Sequence, residues 1–199
     1  MGQDRRWRES MIAHLSLNAG DRVLDVAAGT GSITRRLTAS GAEVVSLDQS
    51  YEMLARAVER GATGLVATAE ELPFADNEFD AITFGYLLRY VDSVPRAMTE
   101  ITRVVRPGGR VGMVEFGRPS GPWRWAWWGF TRIILPLAGR LISRPWFEVG
   151  VFLGPSIDAL ADRWPPASLA AAWEEVGLID VTVIQMSLGG GLVMTAKKP

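Results

Sequence analysis

A glycine-rich turn after the first apolar run has the residue types needed to bind an anionic group. Residues 23–31, VLDVAAGTG, read as a buried strand that ends in a turn, with a helix opening near Ser32. Ala28, Gly29 and Gly31 carry little side-chain bulk, so a ligand can reach backbone N–H groups at the positive end of that helix. The turn predicts an anion-binding site, although a tight turn without a ligand has the same short pattern.

An acidic residue at the end of the next strand adds a second group. The apolar run 44–47 leads into Asp48, where a carboxylate can accept hydrogen bonds from the two hydroxyls of a nucleoside ribose. Asp48 could instead cap the helix that begins near Ser50. Dinucleotide oxidoreductases place a third glycine three residues after the second, but that position is Thr34 here. The pattern therefore favours S-adenosylmethionine (SAM) over NAD, and an NAD-binding oxidoreductase is kept as a more distant alternative.

The composition excludes several other chemistries. The 199 residues include no cysteine and one histidine, His14, which excludes disulfides, thiolate ligands, a cysteine nucleophile and a multi-histidine metal site. We therefore expect no metal, and we interpret His14 as a surface residue of an N-terminal helix. The 21 basic and 22 acidic residues leave a formal charge of -1, which argues against nucleic acid as a partner.

Apolar runs alternate with helical patterns from Arg22 onward, which predicts βαβ units around a parallel sheet. The predicted strands are 22–27, 44–48, 64–67, 79–84 and 110–116, and the helices begin near Ser32, Ser50 and Val94. A helix over 166–176 ends at Gly177, and strands 180–186 and 192–197 form an antiparallel hairpin around three glycines. We predict a doubly wound, Rossmann-like α/β fold with a seven-stranded sheet, mostly parallel with an antiparallel C-terminal hairpin strand, and helices on both faces.

The order of several motifs resembles a known family. VLDVAAGTG, SLDQSYEML, AEELPFADNEFDAITF, LLRYV and ITRVVRPGGRVGMVEFGRP are similar to the ubiquinone/menaquinone C-methyltransferases (UbiE/MenG type) among class I SAM-dependent methyltransferases. The resemblance covers residues 2–117 well and continues more loosely to the C-terminal LGGG. It implies SAM as the methyl donor, S-adenosylhomocysteine (SAH) as the product, and a small hydrophobic acceptor such as a quinol ring carbon. Methylation of oxygen or nitrogen in another metabolite, and SAM binding without turnover, stay open as alternatives.

The resemblance also implies which residues contact the cofactor. Gly29, Thr30 and Gly31 would contact the methionine part and Asp48 the ribose, while Gln49 and Met53 would surround the adenosine. Further contacts are expected along the strand and turns at Asp25, Ala27, Thr68, Ala69 and Gly85. Many relatives have aspartate at the position of Thr68. The nearby Glu70 and Glu71 are interpreted as solvated loop acids.

Arg89 is the predicted catalytic residue. It aligns with the arginine of the family's Leu-Arg-Asn motif, and its permanent charge could stabilise a phenolate or hold a water that removes the phenol proton. The simpler alternative is an ion pair with an acid such as Asp92. Tyr86 and Tyr90 are the predicted substrate-binding residues, with a core or a surface role as their alternatives, and Tyr90 replaces the asparagine of the family motif.

Residues 118–163 interrupt the βα alternation, and we predict that they form a lid inserted into a single domain that covers 1–199. Five aromatic residues lie between Trp123 and Phe130, and Trp146 and Phe147 follow. Such rings suit a lipophilic acceptor or a peripheral membrane contact, and a core or homodimer interface is the alternative. The N-terminus has early positive charge but no apolar core, so we expect neither signal peptide nor anchor and a cytoplasmic location.

Overall fold

The computed structural model describes residues 2–59 and 62–199, and its centre is a seven-stranded sheet. The strands are β1 (Arg22–Val26), β2 (Glu43–Asp48), β3 (Thr63–Val66), β4 (Phe79–Gly85), β5 (Val105–Phe116), β6 (Ile179–Met186) and β7 (Gly191–Lys197). Their order is β3-β2-β1-β4-β5-β7-β6. β1 to β5 run parallel, and β7 lies antiparallel to both β5 and β6. The predicted Rossmann-like fold with its antiparallel hairpin strand is confirmed.

Helices surround this sheet and extend from one end of it. They are α1 (Gln3–Leu15), α2 (Thr34–Ala39), α3 (Tyr51–Val58), α4 (Val94–Val104), α5 (Trp123–Gly129), α6 (Leu135–Ile142), α7 (Arg144–Arg163) and α8 (Pro166–Glu175). A π-helical stretch, Phe130–Ile134, joins α5 to α6. The helix predicted near Ser32 begins two residues later, after the glycine turn.

Local chemistry explains why the helices begin at the turns above the sheet. The hydroxyl of Ser93 accepts from the backbone N–H of Arg96 at the start of α4, and Ser50 accepts from Met53 at the start of α3. α4 then buries an apolar stripe against one face of the sheet, while α1 packs Met11 and Leu15 against the other. The turns between strand and helix are therefore held in place from both faces.

The order of the strands creates a crevice at their carboxyl ends. The chain moves outward from β1 to β2 and β3, then returns to the other side of β1 with β4 and β5. Connections leaving β1 and β4 therefore diverge, which leaves a gap between them where ligands bind in open α/β sheets. The predicted glycine turn follows β1 and lies at this gap.

The predicted lid, residues 118–163, folds as helices α5 to α7 and the π-helical stretch between α5 and α6. α6 and α7 approach closely, since a Cβ added at Gly150 would lie 2.9 Å from the carbonyl oxygen of Leu135. Many large side chains of this segment face outward, including Trp125 at 76% and Leu141 at 89% exposure. Across the described ranges, no helix combines the length and apolarity needed to cross a bilayer.

Candidate functional site

A cavity of about 450 Å³ lies at the carboxyl ends of β1, β2 and β4. We call it the switch-point cavity, because it occupies the gap where the strand order reverses. Its size and its mixed apolar and polar walls are those of small-molecule and cofactor sites. Its walls comprise the turn after β1, the end of β2, the loop after β3 and the loop after β4.

Asp48 connects two walls of this cavity. Its Oδ2 accepts from the backbone N–H of Gly29 at 2.8 Å, and its Oδ1 accepts from the N–H of Ser50 at 2.8 Å. One carboxylate therefore fixes both the glycine turn and the start of α3. Each oxygen retains further acceptor capacity for a ligand hydroxyl, so the ribose and helix-start interpretations of Asp48 are compatible.

The backbone of the cavity wall is strained at two points. Ala27 has φ of 54° and Tyr86 has φ of 60°, a region that residues with a Cβ rarely occupy. These residues follow neighbouring parallel strands, and both line the switch-point cavity. Non-glycine residues with such a conformation concentrate at binding and active sites, which supports this cavity as the functional site.

The structure brings most of the predicted site residues to this single cavity. Those that line it are Ala27, Gly29, Thr30, Asp48, Gln49, Met53, Thr68, Ala69, Gly85, Tyr86 and Tyr90. Asp25, Gly31 and Arg89 lie outside its lining. These residues come from four separate stretches of sequence, and Arg8 of α1 adds a fifth stretch to the lining.

Asp25 lies behind the cavity rather than in its wall. Its carboxylate is fully buried and accepts from the hydroxyls of Thr34 at 2.7 Å and Thr83 at 2.9 Å. Burial raises the pKa of Asp25 to about 6, although both hydrogen bonds act in the opposite direction. Asp25 therefore connects β1 to β4 and α2, which positions the glycine turn from beneath.

Arg89 pairs with Glu115, at the end of β5, and not with Asp92. Its Nε donates to Glu115 Oε1 at 3.0 Å, and the two side chains are only 3% and 1% exposed. Its Nη1 donates to the hydroxyl of Ser156 in α7. The guanidinium carbon lies 5.3–5.8 Å from the ring centres of Tyr86, Tyr90 and Phe116. Arg89 thus contacts two aromatic residues of the cavity wall.

Tyr86 is held firmly in that wall. Its hydroxyl donates to Asp4 of α1, and its ring packs on Phe116 with centroids 4.6 Å apart. Burial and the neighbouring Asp4 raise the pKa of the Tyr86 phenol above its ordinary value. Tyr86 therefore stays protonated at neutral pH and serves as a wall and hydrogen-bonding residue rather than a base.

Three charged residues near the site were not among the predicted site residues. Arg8, in α1, lines the cavity and pairs with Asp4 at 3.1 Å. Glu70 also lines the cavity and accepts from the N–H of Ser93 at 2.7 Å, whereas Glu71 is exposed as predicted. Glu115 ends the apolar run of β5 as Asp48 ends that of β2. This similarity could have identified Glu115 as a candidate site residue from the sequence.

Comparison with known proteins identifies the family of the chain. A profile of the ubiE/COQ5 methyltransferase family matches residues 1–197. The chain belongs to the ubiE/COQ5 methyltransferase family. It is 39% identical over 198 residues to the demethylmenaquinone methyltransferase of Renibacterium salmoninarum, covering 97% of this chain and 80% of that protein. The enzyme of the same name from Mycobacterium marinum is 39% identical over 195 residues, or 97% and 81% of the two chains.

Solved structures of other methyltransferases have the same fold as this chain. An S-adenosylmethionine-dependent methyltransferase from Mesorhizobium loti superposes with a TM-score of 0.69 at 19% identity, covering 96% of each chain. Phosphoethanolamine N-methyltransferase 2 of Haemonchus contortus, in complex with SAM, gives a TM-score of 0.70 at 17% identity. The match covers 98% of this chain and 52% of the Haemonchus protein, so the chain spans about half of that enzyme. The chain is a SAM-dependent methyltransferase, as the motifs implied.

The switch-point cavity contains groups that could hold SAM. Gly29 faces open space, since no atom lies within 4 Å of the place where a side chain would begin. A ligand therefore has room to lie against the turn. Asp48 provides acceptors for ribose hydroxyls, and Arg8 is the cation among the described lining residues that suits a carboxylate. No cluster of three potential metal-ligating side chains occurs in the described part of the chain.

Proposed function

We propose that this ubiE/COQ5 family member methylates a ring carbon of a lipophilic hydroquinone, the quinol form of demethylmenaquinone. The observation that carries the proposal is the 39% identity, over nearly the whole chain, to enzymes named for that acceptor. The aromatic residues Tyr86, Tyr90 and Phe116 beside the switch-point cavity suit a flat apolar ring. We also propose that the lining residues named above contact SAM.

Methyl transfer depends more on how the protein positions donor and acceptor than on a reactive side chain. SAM, when bound, supplies an electrophilic methyl group. Asp48 and the glycine turn would hold the nucleoside and amino acid ends of the donor, while Tyr86 and Tyr90 would orient the acceptor ring. Arg89, beside both rings, would stabilise negative charge on the ring oxygen.

An acceptor assay tests this function. The purified enzyme with methyl-labelled SAM is expected to transfer label to a demethylated, prenylated 1,4-naphthohydroquinone under reducing conditions. Mass spectrometry should locate the methyl group on ring carbon. Transfer to oxygen, or faster transfer to phenol, catechol or amine acceptors, would contradict the proposed acceptor, and SAM binding without any transfer would favour a binding protein.

We further propose that the exposed part of the 118–163 segment contacts an anionic lipid surface, where such an acceptor is found. Residues 122–147 contain four arginines, Arg124, Arg132, Arg140 and Arg144, and no acidic residue, and two of them pair with acids of α7, Arg132 with Asp158 and Arg144 with Glu148. Exposed tryptophans accompany these charges. Aromatic rings and cations together are the composition of interfacial membrane-binding helices.

A flotation experiment tests the lipid contact. The protein is expected to float with vesicles of 30% phosphatidylglycerol and to lose most of this binding when Trp125 and Leu141 are both replaced by serine. The matched control, Val183→Ser with Ile179→Ser on edge strand β6, alters exposed apolar residues elsewhere and should float normally. No flotation would contradict the lipid contact, and a stable dimer that the first double variant disrupts would assign the surface to a second copy of the chain.

A further inference from the structure

Glu115 is a buried carboxylate that the proposed chemistry has not used. It lies near the carboxyl end of β5, where it is fully buried opposite Leu192 of β7. Alternation along β5 places its side chain on the same face as Val111 and Met113, toward α7 and α8. The acid therefore interrupts an apolar face. Burial of a carboxylate in such a place costs free energy, so its presence calls for an explanation.

Only one oxygen of Glu115 is satisfied by the described residues. Its Oε1 accepts from Arg89 Nε at 3.0 Å and from the N–H of Phe116 at 2.9 Å. Its Oε2 is buried and has no hydrogen-bond partner among the described residues. A buried acceptor in this state is costly unless a donor is supplied.

A cavity of about 250 Å³ adjoins this carboxylate, and we call it the Glu115 cavity. Its apolar wall includes Leu160, Trp164 and Leu169 from the face toward which Glu115 points. The other charged residues in its lining, Arg118 and Asp162, pair with each other at 2.6 Å. Glu115 thus lies in the wall of a mainly apolar space, and its Oε2 is itself buried.

The Glu115 cavity is a close neighbour of the cofactor site. Tyr86 lines the switch-point cavity and Phe116 lines the Glu115 cavity, and these two rings are in contact. A third cavity, beside Arg89 and Ser156, shares Val91 with the first and Leu160 with the second. The three cavities are therefore neighbours, with Arg89 in the wall of the third and Glu115 in the wall of the second.

We infer that Glu115 is a catalytic residue whose Oε2 binds a hydroxyl of the aromatic acceptor and takes its proton. This inference rests on the proposed function. The O–H bond breaks with its electron pair left on oxygen, which makes the ortho ring carbon nucleophilic. That carbon forms a bond to the methyl group as the methyl–sulfur bond breaks, with the electron pair left on sulfur. The ring carbon then loses its hydrogen to water as a proton, and Oε2 returns its proton to the oxygen.

The proton affinity of Glu115 suits this role. Burial raises its pKa to about 7, although Arg89 and the N–H of Phe116 lower it. A base with a pKa near the working pH is the most effective in general-base catalysis. Arg89 keeps the carboxylate ionised in part and lies close enough to stabilise the phenolate that forms.

Binding of a hydroxylated probe and of its methyl ether tests the inference without turnover. The SAH complex of the wild-type protein is expected to bind 1-naphthol at least about 10-fold more tightly than 1-methoxynaphthalene, because only the naphthol donates to a carboxylate. Glu115→Gln, which keeps the acceptor for Arg89 but places an amide donor at the Oε2 position, should abolish this preference. Calorimetry measures both affinities, and SAH affinity should be unchanged because Glu115 does not line the switch-point cavity.

Glu100→Gln is the matched control. Glu100 also pairs with an arginine, Arg103 at 2.8 Å, but lines neither cavity, so this variant should keep the preference. In the acceptor assay Glu115→Gln should lower kcat by about 100-fold or more. Equal binding of the two probes by the wild type, or no detectable binding of 1-naphthol, overturns the inference. Discrimination without quinol methylation would instead refute the proposed function alone.

Discussion

Replacing Asp48 with alanine is expected to weaken SAH binding by about 100-fold or more. The change removes the carboxylate proposed to accept from the ribose hydroxyls. It also removes the hydrogen bonds from the N–H groups of Gly29 and Ser50, so one side chain no longer holds the glycine turn and the start of α3 together. Hydrogen bonds to a carboxylate are each worth about 1.5–3 kcal/mol, and two such bonds correspond to this loss in affinity. Titration calorimetry with SAH measures the effect directly.

Two variants separate a ligand contact from a general loss of structure. Asp48→Asn retains one acceptor oxygen and should bind SAH with intermediate affinity. Asp76→Ala, at an exposed aspartate that pairs with Arg103 away from the cavity, should bind as the wild type does. If Asp48→Ala bound SAH within threefold of the wild type while folded, the assignment of the ribose site to Asp48 would be wrong.

Replacing Arg89 with leucine is expected to cost stability in a pH-dependent way and to stop methyl transfer. The substitution leaves Glu115 buried without its cation, which typically costs about 3–5 kcal/mol. The pKa of Glu115 is about 7 in the folded protein against an ordinary 4.5, so its contribution to stability is complete below pH 4.5 and is lost as the pH rises through 7. Removing Arg89 raises the folded pKa further. The loss should therefore be small at pH 5 and should reach about 1.4 kcal/mol at pH 8, because it grows by about 1.4 kcal/mol for each pH unit above 7.

Denaturant unfolding at the two pH values measures this effect. In a Glu115→Gln background, Arg89→Leu should cost nearly the same free energy of unfolding at pH 5 and pH 8, because the titrating group is gone. Asp25, whose pKa is also raised, titrates in every variant and cancels in the comparison. The folded Arg89→Leu protein should still bind SAH, since Arg89 does not line the switch-point cavity. Equal losses at both pH values, or preserved methyl transfer, would contradict the role assigned to Arg89.

Much of the fold could be predicted because its determinants are local. β2 ends in Asp48, β4 ends in Gly85, and β1 ends just before the glycine turn, and their continuous apolar runs identify them as buried strands without knowledge of their neighbours. The antiparallel hairpin of β6 and β7 was predictable from its three glycines for the same reason. The helical form of 118–163 was not predicted, because the segment is rich in tryptophan, proline and glycine and many of its large apolar side chains are exposed.

The sequence by itself determined the family, the donor class and the stretches that build the site. Strand ends mark their own positions, so Gly29 and Asp48 could be assigned to one edge of a sheet from the residues alone, and the family resemblance added Gly85. Only the tertiary structure decided the partner of Arg89. Glu115 is 26 residues away along the chain, and the two meet because β4 and β5 are neighbours in the sheet. Pairing across a sheet depends on strand order and register, and neither is encoded in the spacing of the two residues.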